Sequence, residues 1–122
     1  MTATFPEPQP TRAEQIVKLG QLSMRSHRDG ELHTISLNGE MDLANAGDVE
    51  QELIRVEGTD ARRILVDLSG LTFIDSTGIK LLLLADARSR GDSRRLVLRR
   101  PPDGVRRVLR ITGVDDLLPY VD

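Results

Sequence analysis

Two stretches of alternating apolar and polar residues lie near the start of the chain, and such alternation is typical of half-buried β-strands. The first stretch is Leu22–Ser26 and the second is Leu32–Leu37. Asp29-Gly30 lies between them, and this dipeptide favours the tight turn of a hairpin. The pattern therefore predicts a β-hairpin, followed by a loop over Gly39–Asp42.

Further along the chain, apolar residues recur at spacings of three and four, which predicts amphipathic helices. The first helix has an apolar stripe made of Ala46, Val49, Leu53 and Val56. Glu52 is expected on its solvent side, and Gly58 is expected to end it, because glycine is common just past a helix terminus. Two more helices are predicted, one from Ile79 to about Arg88 and one around Val105–Leu109.

Two short apolar runs predict strands between these helices. Ile64–Val66 is rich in branched side chains, which is typical of a strand covered on both faces. Leu96–Leu98 predicts another strand. The predicted order is therefore strand, strand, helix, strand, helix, strand, helix, and this alternation predicts a partly parallel α/β sheet.

The first twenty residues differ in composition from the rest of the chain. Thr2–Pro10 contains three prolines and one large apolar side chain, so it can bury little surface. The composition of Thr11–Leu19 is compatible with one or two helical turns, but nothing in the sequence anchors them. We therefore expect a flexible N-terminal extension over residues 1–20 and one folded domain over residues 21–122.

Composition narrows the classes of function. The chain has 122 residues and a net charge of −2, which allows one hydrophobic core and predicts no attraction to nucleic acid or to an anionic membrane. The absence of cysteine excludes thiolate metal sites and thiol nucleophiles. The longest apolar run, Leu81–Ala85, is too short to span a bilayer, and the N-terminus lacks a secretory pattern. We expect a cytoplasmic protein without cofactor or metal.

The candidate chemistry lies at Asp75-Ser-Thr-Gly78, where a strand and a loop lead into the second predicted helix. A helix start presents unpaired N–H groups and a partial positive charge. A phosphate on Ser76 could lie against those N–H groups and would add about −1.5 to −2 charges at pH 7. Gly78 is expected to leave the surface open. The structural alternative is simple capping, because Asp and Ser before a helix most often act as N-caps.

Three segments of the chain carry a resemblance to a known family, and they occur in the order expected for that family. They are Gly39–Asp42, the long stretch Ile64–Gly78 and Val105–Gly113. Together they resemble the anti-sigma factor antagonist family, the STAS domains. The resemblance extends from about Leu22 to the C-terminus. It implies a STAS-type α/β fold, in which a mixed central sheet of four to five strands packs against about four helices.

The resemblance also implies a function. In such proteins the serine of Asp-Ser-Xaa-Gly is phosphorylated by an anti-sigma factor of the GHKL serine kinase type. The unphosphorylated antagonist binds that kinase and frees a sigma factor, whereas phosphorylation releases the antagonist. A metal-dependent serine phosphatase then resets the cycle. For this chain, the resemblance implies that Ser76 is the phosphoacceptor, that Thr77 is a second candidate acceptor, and that the free protein is a monomer.

The same resemblance implies a partner-binding surface made of Asp42, Asp75, Ser76, Thr77, Gly78 and Leu81. Some of these residues have a structural alternative. Asp42 and Asp67 follow predicted strands and could bind backbone N–H groups in turns. Leu81 and Leu84 widen the apolar side of the second helix, which is explained either by burial or by an apolar contact area beside Ser76.

The sequence shows no recognisable catalytic constellation. His27 and His33 flank the hairpin turn and are expected on the surface. Ser76 lacks the Gly-Xaa-Ser-Xaa-Gly elbow of hydrolases, and no Gly-rich phosphate loop with lysine occurs. We therefore expect a regulatory protein and not an enzyme. A second interpretation stays open, in which the chain is a non-switching STAS interaction or scaffold module of a signalling complex and Ser76 is only a cap.

Overall fold

The computed structural model describes residues 14–121, which form one six-stranded sheet with three α-helices. The strands are β1 Glu14–Leu19, β2 Leu22–Asp29, β3 Leu32–Met41, β4 Arg63–Ile74, β5 Leu96–Arg99 and β6 Tyr120–Val121. The helices are α1 Ala46–Glu57, α2 Ser76–Arg90 and α3 Asp103–Ile111, and a 3-10 turn covers Asp115–Leu117. No helix in this part of the chain is long and apolar enough to cross a membrane.

The sheet is mixed, and its strands lie side by side in the order of the sequence. β1, β2 and β3 pair antiparallel, whereas β3, β4, β5 and β6 pair parallel. Each parallel step passes through one helix, and right-handed crossovers between successive neighbours place the helices on the same face. The carboxyl ends of β3 and β4 therefore meet at one edge of the molecule, where α1 and α2 begin.

The core lies between the sheet and the helices. In β3, Ile35 and Leu37 are fully buried while Thr34 and Ser36 are partly exposed. The structure confirms the apolar stripe of α1, whose buried residues include Ala46, Val49, Leu53 and Val56. It also confirms the β2–β3 hairpin, with its turn at Asp29-Gly30. Gly30 has a φ of 62°, a conformation that glycine adopts without strain.

The strand count differs from the sequence-based expectation of four to five strands and about four helices. Six strands, three α-helices and one 3-10 turn are present in residues 14–121. The first strand is new: Glu14–Leu19 falls in the predicted flexible extension, yet it pairs with β2 along its whole length. β1 forms its hydrogen bonds with β2, which comes later in the chain. The local pattern of apolar residues does not reveal such a partner. The rest of the predicted extension, residues 1–13, lies outside the described residues.

Two strands are also longer than predicted. β3 runs through the expected loop as far as Met41, and β4 continues beyond Val66 to Ile74. The pairing of β3 with β4 shifts register near Asn38 and again after Gly39, as at a β-bulge. A Cβ on Gly70 would overlap the Asn38 side chain. Glycines that suggest a loop in the sequence therefore allow two strands to approach closely.

The prediction that His33 lies on the surface and Glu52 faces solvent is wrong. His33 is 3% exposed and Glu52 is 9% exposed. The Ser26 hydroxyl donates to Glu52 Oε2 at 2.5 Å and lies 2.6 Å from His33 Nε2. Arg55 donates two hydrogen bonds to the same carboxylate. Polar residues can occupy these inward positions because each finds a partner there.

Candidate functional site

The candidate site lies where β4 ends and α2 begins. Ser76 is the first residue of α2 and its side chain is exposed. Thr77 is half-buried beside it, and Asp75 immediately precedes the helix. The structure therefore places the predicted phosphoacceptor on an accessible corner, at the carboxyl edge of the parallel strands.

Asp75 is the N-cap of α2 and also links the helix to the preceding loop. Its Oδ1 accepts hydrogen bonds from the backbone N–H groups of Thr77 at 3.0 Å and Gly78 at 3.1 Å. Its Oδ2 accepts from the backbone N–H of Leu43 at 3.0 Å. Its own N–H donates to the carbonyl oxygen of Met41. One carboxylate thus holds the end of β3 and the start of α2 together.

The loop between β3 and α1 is fixed by its own side chains. Asp42 Oδ1 accepts from the N–H of Ala44 at 2.9 Å, and Asn45 Oδ1 accepts from the N–H of Asp42 at 3.0 Å. Asn45 also donates from Nδ2 to the carbonyl oxygens of Leu19 and Glu40. Asp42 therefore shapes the turn, as its structural alternative predicts, while it lies beside the exposed corner.

The expectation that Gly78 leaves the surface open is wrong. The residue is buried, and a Cβ added there would lie 2.8 Å from Ile74 Cγ1 and 3.0 Å from Met41 Cε. Glycine is needed because the first turn of α2 packs directly against the ends of β3 and β4. Gly78 thus lies buried beneath the helical turn that carries Ser76.

The expectation that the N–H groups at the start of α2 could bind a phosphate on Ser76 is also not met. The N–H groups of Thr77 and Gly78 are already bound by the Asp75 carboxylate, so they are not available to a phosphate on Ser76. Such a phosphate would instead lie beside a negative charge. Its effect would be to add repulsion at an anionic corner.

A shallow groove adjoins Ser76 between the starts of α1 and α2. It is lined by Ala46, Gly47, Glu50, Thr77, Lys80, Leu81 and Leu84. Leu81 is only 4% exposed, so it is mainly a core residue and the apolar contact expected from it is small. Leu84 is 44% exposed and supplies the accessible apolar surface of the groove.

Sequence reasoning missed two other apolar side chains near the site. Leu43 is 77% exposed on the loop that Asp75 anchors, and Phe73 is 46% exposed near the end of β4. A leucine directly after Asp42, in a segment with no helical or strand pattern, could have indicated an exposed apolar contact. Leu43 lies on the loop that Asp75 binds, Phe73 precedes Ser76 by three residues and Leu84 lines the groove, so the segments next to Ser76 carry exposed apolar side chains.

Asp67 and the histidines lie away from this corner. Asp67 sits within β4, accepts from the Ser69 N–H at 2.9 Å and pairs with Arg99 at 2.8 Å. Burial alone would raise the pKa of Asp67, but its hydrogen bonds with Ser69 and Arg99 hold it lower than usual. His33 pairs with Ile64 at the other end of β4, roughly 30 Å along the strand from Ser76.

The sequence of this chain is similar to those of known proteins. Residues 24–119 match the protein-family model described as Mlab, STAS domain. The candidate anti-sigma factor antagonist BtrV of Bordetella bronchiseptica is 34% identical over 86 residues, which cover 70% of this chain and 74% of that protein. A STAS-domain containing protein of Pseudomonas aeruginosa is 32% identical over 89 residues, covering 73% of this chain and 87% of the relative.

Solved structures share the fold at lower sequence identity. An anti-sigma factor antagonist from Mycobacterium paratuberculosis superimposes with a TM-score of 0.71 at 23% identity, covering 81% of this chain and 84% of that one. The phosphorylated form of the Bacillus cell fate determinant SpoIIAA gives a TM-score of 0.58 at 21% identity, with 90% and 92% covered. These likenesses establish the same α/β architecture in the described residues.

Proposed function

Because this chain belongs to the STAS domain family, we propose that it is an anti-sigma factor antagonist whose partner binding is controlled by phosphorylation of Ser76. The observation that carries the proposal is the exposed hydroxyl of Ser76 at the first position of α2. Ser76 follows Asp75, whose carboxylate binds both the first turn of α2 and the loop after β3. Relatives that bear the name of anti-sigma factor antagonists support the same function.

The unmodified corner suits a protein partner. The backbone N–H of Leu43 is already bound by Asp75, and the carbonyl oxygen of Glu40 is already bound by Asn45. A partner can therefore dock with little rearrangement of this loop. Leu43, on the loop bound by Asp75, and Leu84, in the groove beside Thr77, offer exposed apolar surface, and a contiguous apolar area can mark a protein contact site. We assign the partner-binding surface to this corner, with Asp42, Asp75, Ser76 and Thr77 at its centre and Gly78 and Leu81 supporting it from the core.

Phosphorylation would change the charge of the corner without changing the fold. A phosphate on Ser76 adds about −1.5 to −2 charges at pH 7, next to the carboxylate of Asp75. In a complex this added charge would have to lose its hydration and lie against any acidic group of the partner, and like charges set against each other across an interface cost several kcal/mol, which is enough to release a partner that binds the unmodified form. Thr77 is half-buried, so Ser76 is the more accessible of the two hydroxyls.

The partners follow from the proposed cycle. The kinase is an anti-sigma factor of the GHKL type, which binds the unphosphorylated chain and thereby releases a sigma factor in the cytoplasm. A metal-dependent serine phosphatase removes the phosphate. The chain itself is the substrate in this cycle and carries out no catalysis, and the regulatory names of its relatives support that role.

The test compares three forms of the full chain as immobilised bait in extracts of the cells that make it. Wild type should retain a GHKL-type ATP-binding protein, and Ser76→Asp should retain it at least ~10-fold less, because an added charge opposes docking. Ser93→Asp is the matched control. It places the same charge just past the other end of α2, roughly 25 Å away.

Thermal unfolding of the three forms should give similar midpoints, since both serines are exposed. Retention of the kinase by Ser93→Asp but not by Ser76→Asp supports the switch. Equal retention by all three would show that Ser76 does not control binding, and the scaffold interpretation would replace the switch.

A further inference from the structure

β1 is an edge strand that leaves apolar side chains exposed. It pairs with β2 on one side, and no other strand within residues 14–121 pairs with its outer side. Ile16 is 66% exposed and Val17 is 38% exposed. The outer side of such a strand presents a row of backbone N–H and C=O groups, which can pair with another strand.

The charges of β1 are arranged symmetrically about Ile16. Side chains alternate along a strand, so Glu14, Ile16 and Lys18 project from the same face of the sheet. This face points away from the core, because Val17 on the opposite face pairs in register with the buried Met24. Glu14 lies two residues before Ile16, and Lys18 lies two residues after it.

We propose that two copies of this chain associate through β1, in an antiparallel pairing centred on Ile16. In this register each Ile16 lies opposite the other, and Glu14 of each copy lies opposite Lys18 of the other. Directly opposed pairs on one face are the stabilising units of a sheet, and opposite charges favour the pairing. The two six-stranded sheets become one continuous sheet.

A lysine on an edge strand usually prevents such pairing. Here its charge would be met by Glu14 of the other copy. Arg25 and His27 both approach Oε2 of Glu14, at 2.5 Å and 3.6 Å, and a carboxylate has a second oxygen that can accept from a further cation. The same charges that would repel an unrelated strand therefore select a second copy of this one.

The proposed association is weak and does not cover the site at Ser76. In this register only Glu14–Lys18 of each copy pair with the other strand, so the interface falls well below the ~1,000 Å² of stable complexes. Ser76 follows β4, three strands away in the sheet. A monomer, the form that the family resemblance implies for the free protein, is therefore expected at low concentration.

The test is sedimentation velocity on the full chain, over a range of roughly 10 µM to 1 mM that suits weak complexes. Wild type should shift from monomer towards dimer within that range. Lys18→Glu sets two glutamates against each other, and Glu14→Lys sets two lysines against each other. Each variant alone should dimerise roughly tenfold or more weakly than wild type.

An equal mixture of the two variants is the decisive sample. In a mixed pair every charge again lies opposite its complement, so the mixture should associate as tightly as wild type. Matched controls reverse exposed charges far from β1, in Arg107→Glu on α3 and Asp116→Lys in the 3-10 turn. These controls should dimerise like wild type.

Three outcomes would overturn the proposal. The first is a wild-type chain that stays monomeric up to the highest concentration. The second is a mixture that associates no better than the single variants although both variants unfold at the same temperature as wild type, which shows that the substitutions leave the fold intact. The third is a dimer that appears only after removal of residues 1–13, because that segment would then be the occupant of the edge in the full chain.

Discussion

Asp75 shows how much of the site depends on one side chain. Its carboxylate accepts three backbone hydrogen bonds, two from the first turn of α2 and one from Leu43. These bonds hold Ser76 and the loop after β3 in a fixed relation. They also leave an anionic group beside the hydroxyl, so a phosphate on Ser76 would be added to an existing negative charge.

Replacement of Asp75 by alanine is expected to destabilise the protein. Loss of an N-cap costs ~1 kcal/mol, and the Leu43 N–H loses its acceptor as well. We expect a total cost of about 1–2 kcal/mol, measured by urea denaturation. Asp75→Asn is the control, since its amide oxygen can still cap the helix and should keep most of the stability. An Asp75→Ala chain as stable as wild type would contradict this role.

The buried cluster of Ser26, His33 and Glu52 makes stability depend on pH. Burial holds the pKa of His33 below its usual 6.5, although the nearby Glu52 carboxylate offsets part of that effect. Burial would raise the pKa of Glu52, but hydrogen bonds from Arg55 and Ser26 outweigh it and hold that pKa below 4.5. The folded state therefore resists protonation of both groups.

Stability should consequently fall as the solution becomes acidic. The unfolded chain takes up a proton on His33 near pH 6.5 while the folded chain does not, so the contribution of the neutral imidazole is complete above that pH and is lost below it. Urea midpoints at about pH 7.5 and 5.5 bracket this window. The contribution of Glu52 should be lost only below about pH 4.5.

One variant tests the contribution of His33. His33→Gln should reduce the difference in stability between the two pH values, because the glutamine side chain does not titrate. Equal slopes for wild type and His33→Gln would refute the assignment.

At the scale of elements, the position of Ser76 depends on how closely α2 approaches the sheet. Gly78 allows the first turn of α2 to pack against Ile74 of β4 and Met41 of β3. A methyl group there would have to displace a branched side chain at 2.8 Å. The site is thus built on two strand ends and one helix start.

Gly78→Ala is expected to destabilise the protein by about 1–3 kcal/mol, as an added methyl group does in a well-packed core. Gly104→Ala is the matched control. It also lies in the first turn of a helix, but its added methyl group meets nothing within 4 Å, so it should be neutral or stabilising by up to ~1 kcal/mol. Thermal unfolding of both variants tests the difference, and equal effects would contradict the packing argument.

The elements that the sequence predicts well are those with a strong local pattern. The stripe of α1 and the alternation of β2 and β3 require each apolar side chain to face the core, so their period is visible in the chain. β1 was missed because its pairing depends on β2. Leu81 and Leu84 could not be separated because α2 is apolar on several sides, and only its packing shows that Leu81 is buried and Leu84 is accessible.

At the scale of the whole molecule, the parallel order of β3 and β4 brings distant segments to one edge. Asp42 and Asp75 are 33 positions apart, yet the Asp75 carboxylate binds the residue that follows Asp42. The sequence located both aspartates and Ser76 through family resemblance. It could not show that Asp75 already occupies the N–H groups of the helix start, because that arrangement depends on the three-dimensional path of the loop.

The central claim is that Ser76 carries a reversible phosphate that releases the partner. The most direct measurement is intact mass and peptide mapping of the protein isolated from its own cells under several growth conditions, with co-purifying proteins identified. The account predicts one phosphate on Ser76 in one fraction and a GHKL-type kinase bound to the unmodified fraction. Ser76 unmodified under every condition, with no such kinase bound, would contradict it.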